Sequence, residues 1–190
     1  MAEPRTKPRS LSREDWILAA IDAVVRGGGD ALRIDRLCSE LEVTKGSFYH
    51  HFENRDDLVA AIADYWARTQ PEQVVAVLGD LSHEPLDKLK LLVRLFTDLD
   101  IGTRDHAIRA LGASEPKIAA AVDEADKLVL GTLERILRSL GLAADDSRLF
   151  AKIMMFSAIG FYTAPNLAGK NGPKEVGKRL MALVLEKAAR

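Results

Sequence analysis

The side chains best suited to chemistry lie in one short segment, residues 43–52. It reads Val43-Thr44-Lys45-Gly46-Ser47-Phe48-Tyr49-His50-His51-Phe52. Lysine, serine and tyrosine often donate hydrogen bonds to phosphate, and free backbone N–H groups at a helix start also favour phosphate. Gly46 has no side chain to hold the backbone away from such a ligand. The segment therefore predicts a surface that contacts nucleic acid.

Two short helices position this surface. The apolar spacing predicts one helix from about Ile34 to Leu41 and another from about Lys45 to Phe52, joined by a tight turn. Thr44 can cap the second helix. The residues spaced to face the core are Leu37, Leu41, Val43, Phe48 and Phe52, which leaves Lys45, Gly46, Ser47, Tyr49, His50 and His51 for the outer face. This division is typical of a helix-turn-helix, whose second helix enters the major groove of DNA.

A helix at the N-terminus completes the unit. Ser12, with Asp15 three residues later, nearly forms a capping box, and Gly27-Gly28-Gly29 supplies the conformational freedom that ends a helix. Upstream, residues 1–13 carry four cations against one carboxylate, a net charge of +3. The basic residues of this arm, Arg5, Lys7 and Arg9, suit either a minor-groove contact or an ordinary solvated tail.

The segment from Val43 to Phe52, followed by Asn54-Arg55-Asp56-Asp57-Leu58, resembles the recognition helix and the start of the fourth helix in TetR-family regulators. The resemblance covers about residues 12–66, and the later helices match the family only in number and length. It implies a homodimer that binds a palindromic operator in double-stranded DNA. It also implies a transcriptional repressor that a small-molecule effector releases.

The same resemblance implies roles for single residues. It places Thr44, Lys45, Gly46, Tyr49, His51 and Arg55 against the phosphates. Ser47 and His50 are the candidates for contacts with base edges.

Three residues depart from the family pattern. Glu42 replaces the usual turn glycine, so we expect a non-glycine residue near positive φ. Arg33 stands where the family favours a capping serine or threonine, which predicts a weaker start for the second helix. Asp35 would repel phosphate if it faced DNA. Arg33 and Arg36 would compensate for that charge, and we include both among the predicted DNA-binding residues.

The rest of the chain also predicts helices. A fourth helix starts at Asn54 with Asp57, and Pro71 predicts a kink or break within it. Later helices are expected over about Pro85–Asp100, with Gly102 ending the helix, and over about Arg104–Leu111 and Pro116–Gly141. Asp145 or Asp146 is expected to cap the next helix, which reaches Ala164. The last helix is expected to begin at Pro173. The prediction is an all-α fold of about nine helices. Residues 1–55 form the arm and a three-helix DNA-binding head, and residues 56–190 form an effector-binding and dimerisation domain.

One face on each of the last two long helices is apolar. The residues on these faces are Leu149, Ile153, Phe156, Gly160, Leu180, Leu183 and Val184. Two copies of this helix pair would form a four-helix bundle, the usual dimer interface of the family. The alternative is that the same faces pack within one chain.

A small apolar or aromatic effector would need a pocket in the helical body. The candidate lining residues are Trp66, Phe96, His106, Met155 and Tyr162, although ordinary core packing explains most of them equally well. Pro71 is a possible weak point between head and body, through which such an effector could change the spacing of two heads.

Several other classes of function find no support in the residues. Neither a nucleophile motif nor a His-Glu-x-x-His pattern is present, so we expect no enzyme, metal site or cofactor. A helical carrier or adaptor stays open as an alternative. The formal net charge is −1, so no global positive field indicates DNA binding. A single cysteine, Cys38, and the lack of an apolar run of roughly 18 residues predict a cytoplasmic protein with no membrane partner.

Overall fold

The computed structural model describes residues 11–79, 84–97, 99–169 and 172–189. The helices are α1 (Arg13–Gly27), a 3₁₀ turn (Gly29–Leu32), α2 (Ile34–Glu40), α3 (Lys45–Tyr49), α4 (Arg55–Gly79), α5 (Pro85–Thr97), α6 (Leu99–Gly112), α7 (Pro116–Ser139), α8 (Ala144–Thr163), α9 (Pro165–Ala168) and α10 (Gly172–Ala188). The described ranges contain no strand, and nine of these ten α-helices are longer than four residues. The prediction of an all-α fold with about nine helices is confirmed.

The head consists of α1, α2 and α3, and its helix ends follow the sequence signals. The Ser12 hydroxyl accepts a hydrogen bond from the Asp15 N–H at 3.1 Å, and the Asp15 carboxylate accepts one from the Ser12 N–H at 2.9 Å. This reciprocal pair is the predicted capping box. At the other end of α1, Gly28 has φ 65°, which confirms the glycine stop.

Aromatic packing holds α3 against α1. Trp16, Phe48 and Phe52 are at most 1% exposed. The Trp16 and Phe48 ring centroids lie 5.5 Å apart, edge to face, and those of Phe48 and Phe52 lie 5.4 Å apart. Full burial of a phenylalanine side chain contributes about 1.5–3 kcal/mol, so these rings fix the orientation of the short third helix.

The body is built around α7, which packs against α4, α5, α6 and α8. One core joins the head to the body, because Ile108 and Leu111 of α6 and Ile118 of α7 belong to the same buried cluster as Trp16. A second core holds α5, α7, α8 and α10 together through residues such as Leu89, Leu133, Met155 and Val184.

The structure corrects two of the predicted helix boundaries. Helix α4 continues through Pro71 to Gly79, so the predicted break is wrong. A proline removes one backbone hydrogen bond, which a helix of 25 residues can tolerate. Gly102 does not end a helix but lies inside α6, where it meets the ring of Tyr162.

The other boundary corrections are at helix ends. Helix α3 ends at Tyr49, three residues before the predicted end at Phe52. The N-cap of α8 is Ala143, which makes no side-chain hydrogen bond. Asp145 and Asp146 instead lie in the first turn, where the helix dipole favours a carboxylate. Within the described ranges, no helix has the length and apolar character needed to cross a bilayer.

Candidate functional site

The start of α3 has the geometry expected of a recognition helix. Thr44 is the N-cap, with φ −83° and ψ 155°, and its hydroxyl accepts a hydrogen bond from the Ser47 N–H at 3.3 Å. The predicted cap is therefore confirmed. At Gly46, an added Cβ would have only the Thr44 hydroxyl within 4 Å, so the outer side of this turn is open.

The two sides of α3 differ as the apolar spacing predicts. Phe48 is fully buried, whereas Tyr49 is 56% exposed, and Lys45 and His50 also lie on the surface. Ser47 and His51 are partly buried beside them. The helix thus presents hydrogen-bonding side chains outward and is anchored by a ring pointing inward.

The turn between α2 and α3 is tight and strained. Glu42 has φ 55° and is the one non-glycine residue with positive φ in the described part of the chain. This confirms the positive φ expected at the position where the family has glycine. The Val43 N–H then donates to the Cys38 carbonyl at 3.0 Å. This bond closes the turn and fixes the angle at which α3 leaves α2.

Asp35 neutralises part of the recognition surface. Its carboxylate lies 2.5 Å from the Lys45 ammonium, and both side chains are mostly exposed. The hydrogen bond to Asp35 raises the pKa of Lys45, which keeps the ammonium charged. The acidic residue that departs from the family pattern therefore faces the same side as the recognition helix.

The three arginines of the predicted interface differ in their surroundings. Arg33 is exposed and is the N-cap of α2, with no side-chain capping bond. The Arg36 guanidinium lies against the end of α1, 2.7 Å from where a Cβ on Gly27 would be. Arg55 is bound to Glu115 at the start of α7, with a distance of 2.6 Å between nitrogen and oxygen. Arg55 is therefore already paired, and its guanidinium links the start of α4 to the start of α7.

Comparison with known proteins gives the same picture. Residues 17–62 match the family model described as bacterial regulatory proteins, tetR family. The transcriptional regulator AcuR of Cereibacter sphaeroides is 29% identical over 139 residues, which are 69% of this chain and 60% of that protein. The chain thus spans less than two thirds of the length of this curated relative.

Two solved structures share the fold over nearly the whole chain. A TetR transcriptional regulator from Legionella pneumophila superposes with a TM-score of 0.76 at 15% identity, covering 93% of this chain and 98% of that one. SCO4454, a TetR-family transcriptional regulator from Streptomyces coelicolor, gives 0.75 at 22% identity, covering 94% and 96%. The chain therefore has the fold of these TetR-family regulators.

The body of the protein contains a small cavity of about 30 Å³ between α4, α6, α7 and α8. Three of the predicted pocket residues, Trp66, Met155 and Tyr162, line it. His106 is not among the residues that line it. The side chain of Phe96, the fifth residue of that prediction, lies outside the described residues.

The charged residues of the cavity were not anticipated from the sequence. Arg109 donates through Nε to Asp105 at 2.6 Å, and through its two terminal nitrogens to Asp126 at 2.7 and 2.6 Å. Burial alone would lower the pKa of Arg109, but these hydrogen bonds outweigh it and raise the pKa. The spacing of four between Asp105 and Arg109 was a usable signal for the first pair, whereas the contact with Asp126 depends on how α6 packs on α7.

Helix α6 also contacts the head directly. The Arg104 guanidinium donates to the Asp22 carboxylate on α1 at 2.9 and 3.2 Å. Arg104 is adjacent to Asp105 in the sequence, so one helix carries both a cavity residue and a link to the head. Adjacent residues point about 100° apart on a helix, which makes this double role possible.

The predicted dimer face on α8 and α10 is partly exposed. Leu149 is 55% exposed, Phe156 70% and Leu183 39%. Gly160 is also exposed, and Ile153 and Leu180 are partly buried. Val184 is a correction, because it is fully buried in the second core of its own chain and cannot contact a partner.

Proposed function

We propose that this protein is a sequence-specific transcriptional regulator that binds duplex DNA as a homodimer and acts as a repressor. The observation that carries the proposal is the outward face of α3, with Lys45, Tyr49 and His50 exposed on a helix anchored by Phe48. In a helix-turn-helix this face enters the major groove, where side chains reach base edges. The match of residues 17–62 to a family of regulatory proteins supports it.

The division of contacts within the site follows from position. Thr44, Lys45 and the Gly46 backbone lie at the N-terminus of α3, where free N–H groups attract phosphate. Tyr49 and His51 would bind phosphates on either side of the groove, and Ser47 and His50 would contact base edges. Arg33 and Arg36 at α2 would offset the charge of Asp35.

The exposed apolar face of α8 and α10 supports the proposed homodimer. Leu149, Phe156 and Leu183 expose large apolar side chains that a second copy would bury. Two related heads would then contact two related half-sites, so the operator would be palindromic.

The body would receive a small-molecule effector that releases the operator. Residues 1–55 would bind DNA and residues 56–190 would bind the effector and the second copy. The cavity lined by Trp66, Met155 and Tyr162 supports this, together with the link from Arg104 to Asp22. A coupling of about 1–3 kcal/mol between effector and DNA would be enough for regulation.

Selection of bound duplexes from a random DNA pool tests the proposal. The expected product is one enriched half-site repeated with two-fold symmetry. Affinity for it should fall steeply as salt rises, because phosphate contacts release counterions. A pool that shows no enrichment, or an enriched site without symmetry, would contradict the proposed activity.

A further inference from the structure

We propose that the cavity between α4, α6, α7 and α8 is a binding site for an organic cation with an apolar body, such as a protonated aromatic amine. The proposal deepens the proposed function, because it names the chemical class of effector for that cavity. It rests on one juxtaposition. Two carboxylates, Asp105 and Asp126, line the cavity with a single arginine, Arg109, and with two aromatic side chains, Trp66 and Tyr162.

The charge of the lining favours a cation. Among the described residues that line the cavity, two are carboxylates and one is a cation, so the local charge is −1 when all three are ionised. These three side chains are only 20–32% exposed, so water screens them less than surface groups. A positively charged ligand would complete the neutralisation of this group.

The hydrogen bonds of Arg109 disfavour an anion. Three of its N–H groups already donate to Asp105 and Asp126, at 2.6–2.7 Å. A guanidinium has five N–H donors in a fixed plane, so an anionic ligand at Arg109 would lie close to both carboxylates. The repulsion between like charges would oppose that arrangement.

Burial of Asp105 agrees with this view. Burial raises the pKa of Asp105, and the opposing effect of the hydrogen bond from Arg109 does not cancel it. His106 lies near enough to lower the same pKa, but its effect is smaller. The ionised carboxylate therefore lacks full compensation in the ligand-free protein, and a nearby cation would stabilise it.

The aromatic side chains suit the same ligand. Trp66 on α4 and Tyr162 on α8 line the cavity together with the apolar side chain of Met155. The face of an aromatic ring attracts a cation, and the rings also bury the apolar part of the ligand. Carboxylates and aromatic rings together distinguish an organic cation from a metal ion or a neutral molecule.

Entry of the ligand requires Tyr162 to move. The cavity of about 30 Å³ has room for little more than water. The Tyr162 ring lies over Gly102, where an added Cβ would be 1.8 Å from the ring carbon Cζ. Displacement of this ring from Gly102 would enlarge the cavity and would act directly on α6.

The test compares three probes of similar shape and different charge: benzylammonium, benzyl alcohol and benzoate. Isothermal titration calorimetry on the full chain, without DNA, measures each affinity near neutral pH. We expect benzylammonium to bind at least tenfold more tightly than benzyl alcohol, and benzoate to bind most weakly. Benzoate as the tightest ligand, equal affinities for all three, or no binding of any would overturn the proposal.

A pair of variants assigns the binding to this cavity. Asp126→Asn should weaken benzylammonium about tenfold and leave benzyl alcohol unchanged. Asp123→Asn is the matched control, since Asp123 lies on the same helix but pairs with Lys127 at the surface. If Asp126→Asn binds benzylammonium with unchanged affinity, the ligand binds elsewhere and the proposal is wrong.

A second variant covers the case in which Asp126→Asn does not fold. Tyr162→Leu should weaken benzylammonium more than benzyl alcohol, and equal losses for the two probes would contradict the proposed site. Circular dichroism checks that each variant is folded. A gel shift in the absence of the three small molecules measures DNA binding separately. Failure of the cation site and failure of the DNA-binding proposal therefore give different results.

Discussion

Lys45 shows how one neighbouring side chain can change a DNA-binding surface. The contact of 2.5 Å with Asp35 occupies the ammonium that would otherwise be free for phosphate. Both groups are exposed, so the pair contributes little to folding stability. The expected consequence is for DNA binding, because Asp35 adds a negative charge to the proposed DNA-binding surface.

Asp35→Asn should therefore raise the affinity for DNA of any sequence. We expect a severalfold increase at low salt and a slope of log affinity against log salt that is steeper by up to about 0.9, the value for one more phosphate contact. Fluorescence anisotropy on a duplex without an operator, over a series of salt concentrations, measures both. Glu124→Gln on the exposed side of α7 is the control for the change in net charge. An equal gain in the control would show that Asp35 acts only through net charge.

Tyr49 and His50 should separate affinity from specificity. Tyr49→Phe removes one hydroxyl from an exposed ring and should weaken binding to all sequences by about 0.5–1.5 kcal/mol. His50→Ala should instead relax the preference at one base position by about 1–3 kcal/mol. Repeating the DNA selection with each variant distinguishes the two. An unchanged preferred sequence for His50→Ala would show that this residue does not contact a base.

Local signals made several residues predictable. Thr44 and Ser12 cap helices because a hydroxyl just before an apolar-periodic segment can accept a backbone N–H bond, and Glu42 adopts positive φ because the turn needs it. The partner of Arg55 was not predictable. Glu115 lies 60 residues away, and a contact of that separation depends on how whole helices pack.

At the scale of secondary structure, helix α6 contacts the cavity with one side and the head with the other. One side carries Gly102, Asp105 and Arg109 at the cavity, and the other carries Arg104 against α1. Its start at Leu99 and its full length were missed because Gly102 was interpreted as the end of the preceding helix. Glycine fits at position 102 of this helix because the Tyr162 ring occupies the space that a side chain would need.

Gly102→Ala should destabilise the protein by about 1–3 kcal/mol, since the new Cβ would overlap the Tyr162 ring. Gly131→Ala on α7 is the matched control, because nothing lies within 4 Å of its added Cβ. Alanine in that helix should stabilise by about 0.5–1 kcal/mol. Urea unfolding of both variants measures the difference. Equal stabilities would mean that the ring moves aside at no cost.

At the scale of the whole molecule, the proposed dimer depends on apolar surface that one chain leaves uncovered. Phe156 and Leu149 lie on α8 with more than half of their side-chain surface exposed. Leu183 continues this surface on α10, whereas Val184 beside it holds α10 to its own chain. Periodicity alone placed all of these residues on one face and could not separate the inward residue from the outward ones.

Phe156→Glu should convert the dimer to a monomer, because a buried carboxylate without a partner would oppose association. Sedimentation equilibrium measures the mass, and we expect affinity for the full palindrome to fall at least tenfold because two heads no longer bind together. Leu128→Glu is the control, since Leu128 is also about half exposed but lies on α7. A dimer that survives Phe156→Glu would move the interface away from α8.

Through the ion pair between Arg55 and Glu115, bound operator DNA would affect how α7 is held in the body. A DNA phosphate that bound the Arg55 guanidinium would compete with the Glu115 carboxylate. DNA binding would therefore weaken the ion pair that holds the start of α7 to the start of α4. Since α7 also supplies Asp126 to the cavity, movement of α7 would couple DNA binding to occupation of the cavity. Thermodynamic reciprocity makes the effect of such a coupling on the two affinities the same factor. The regulator would therefore sense its operator as well as its ligand.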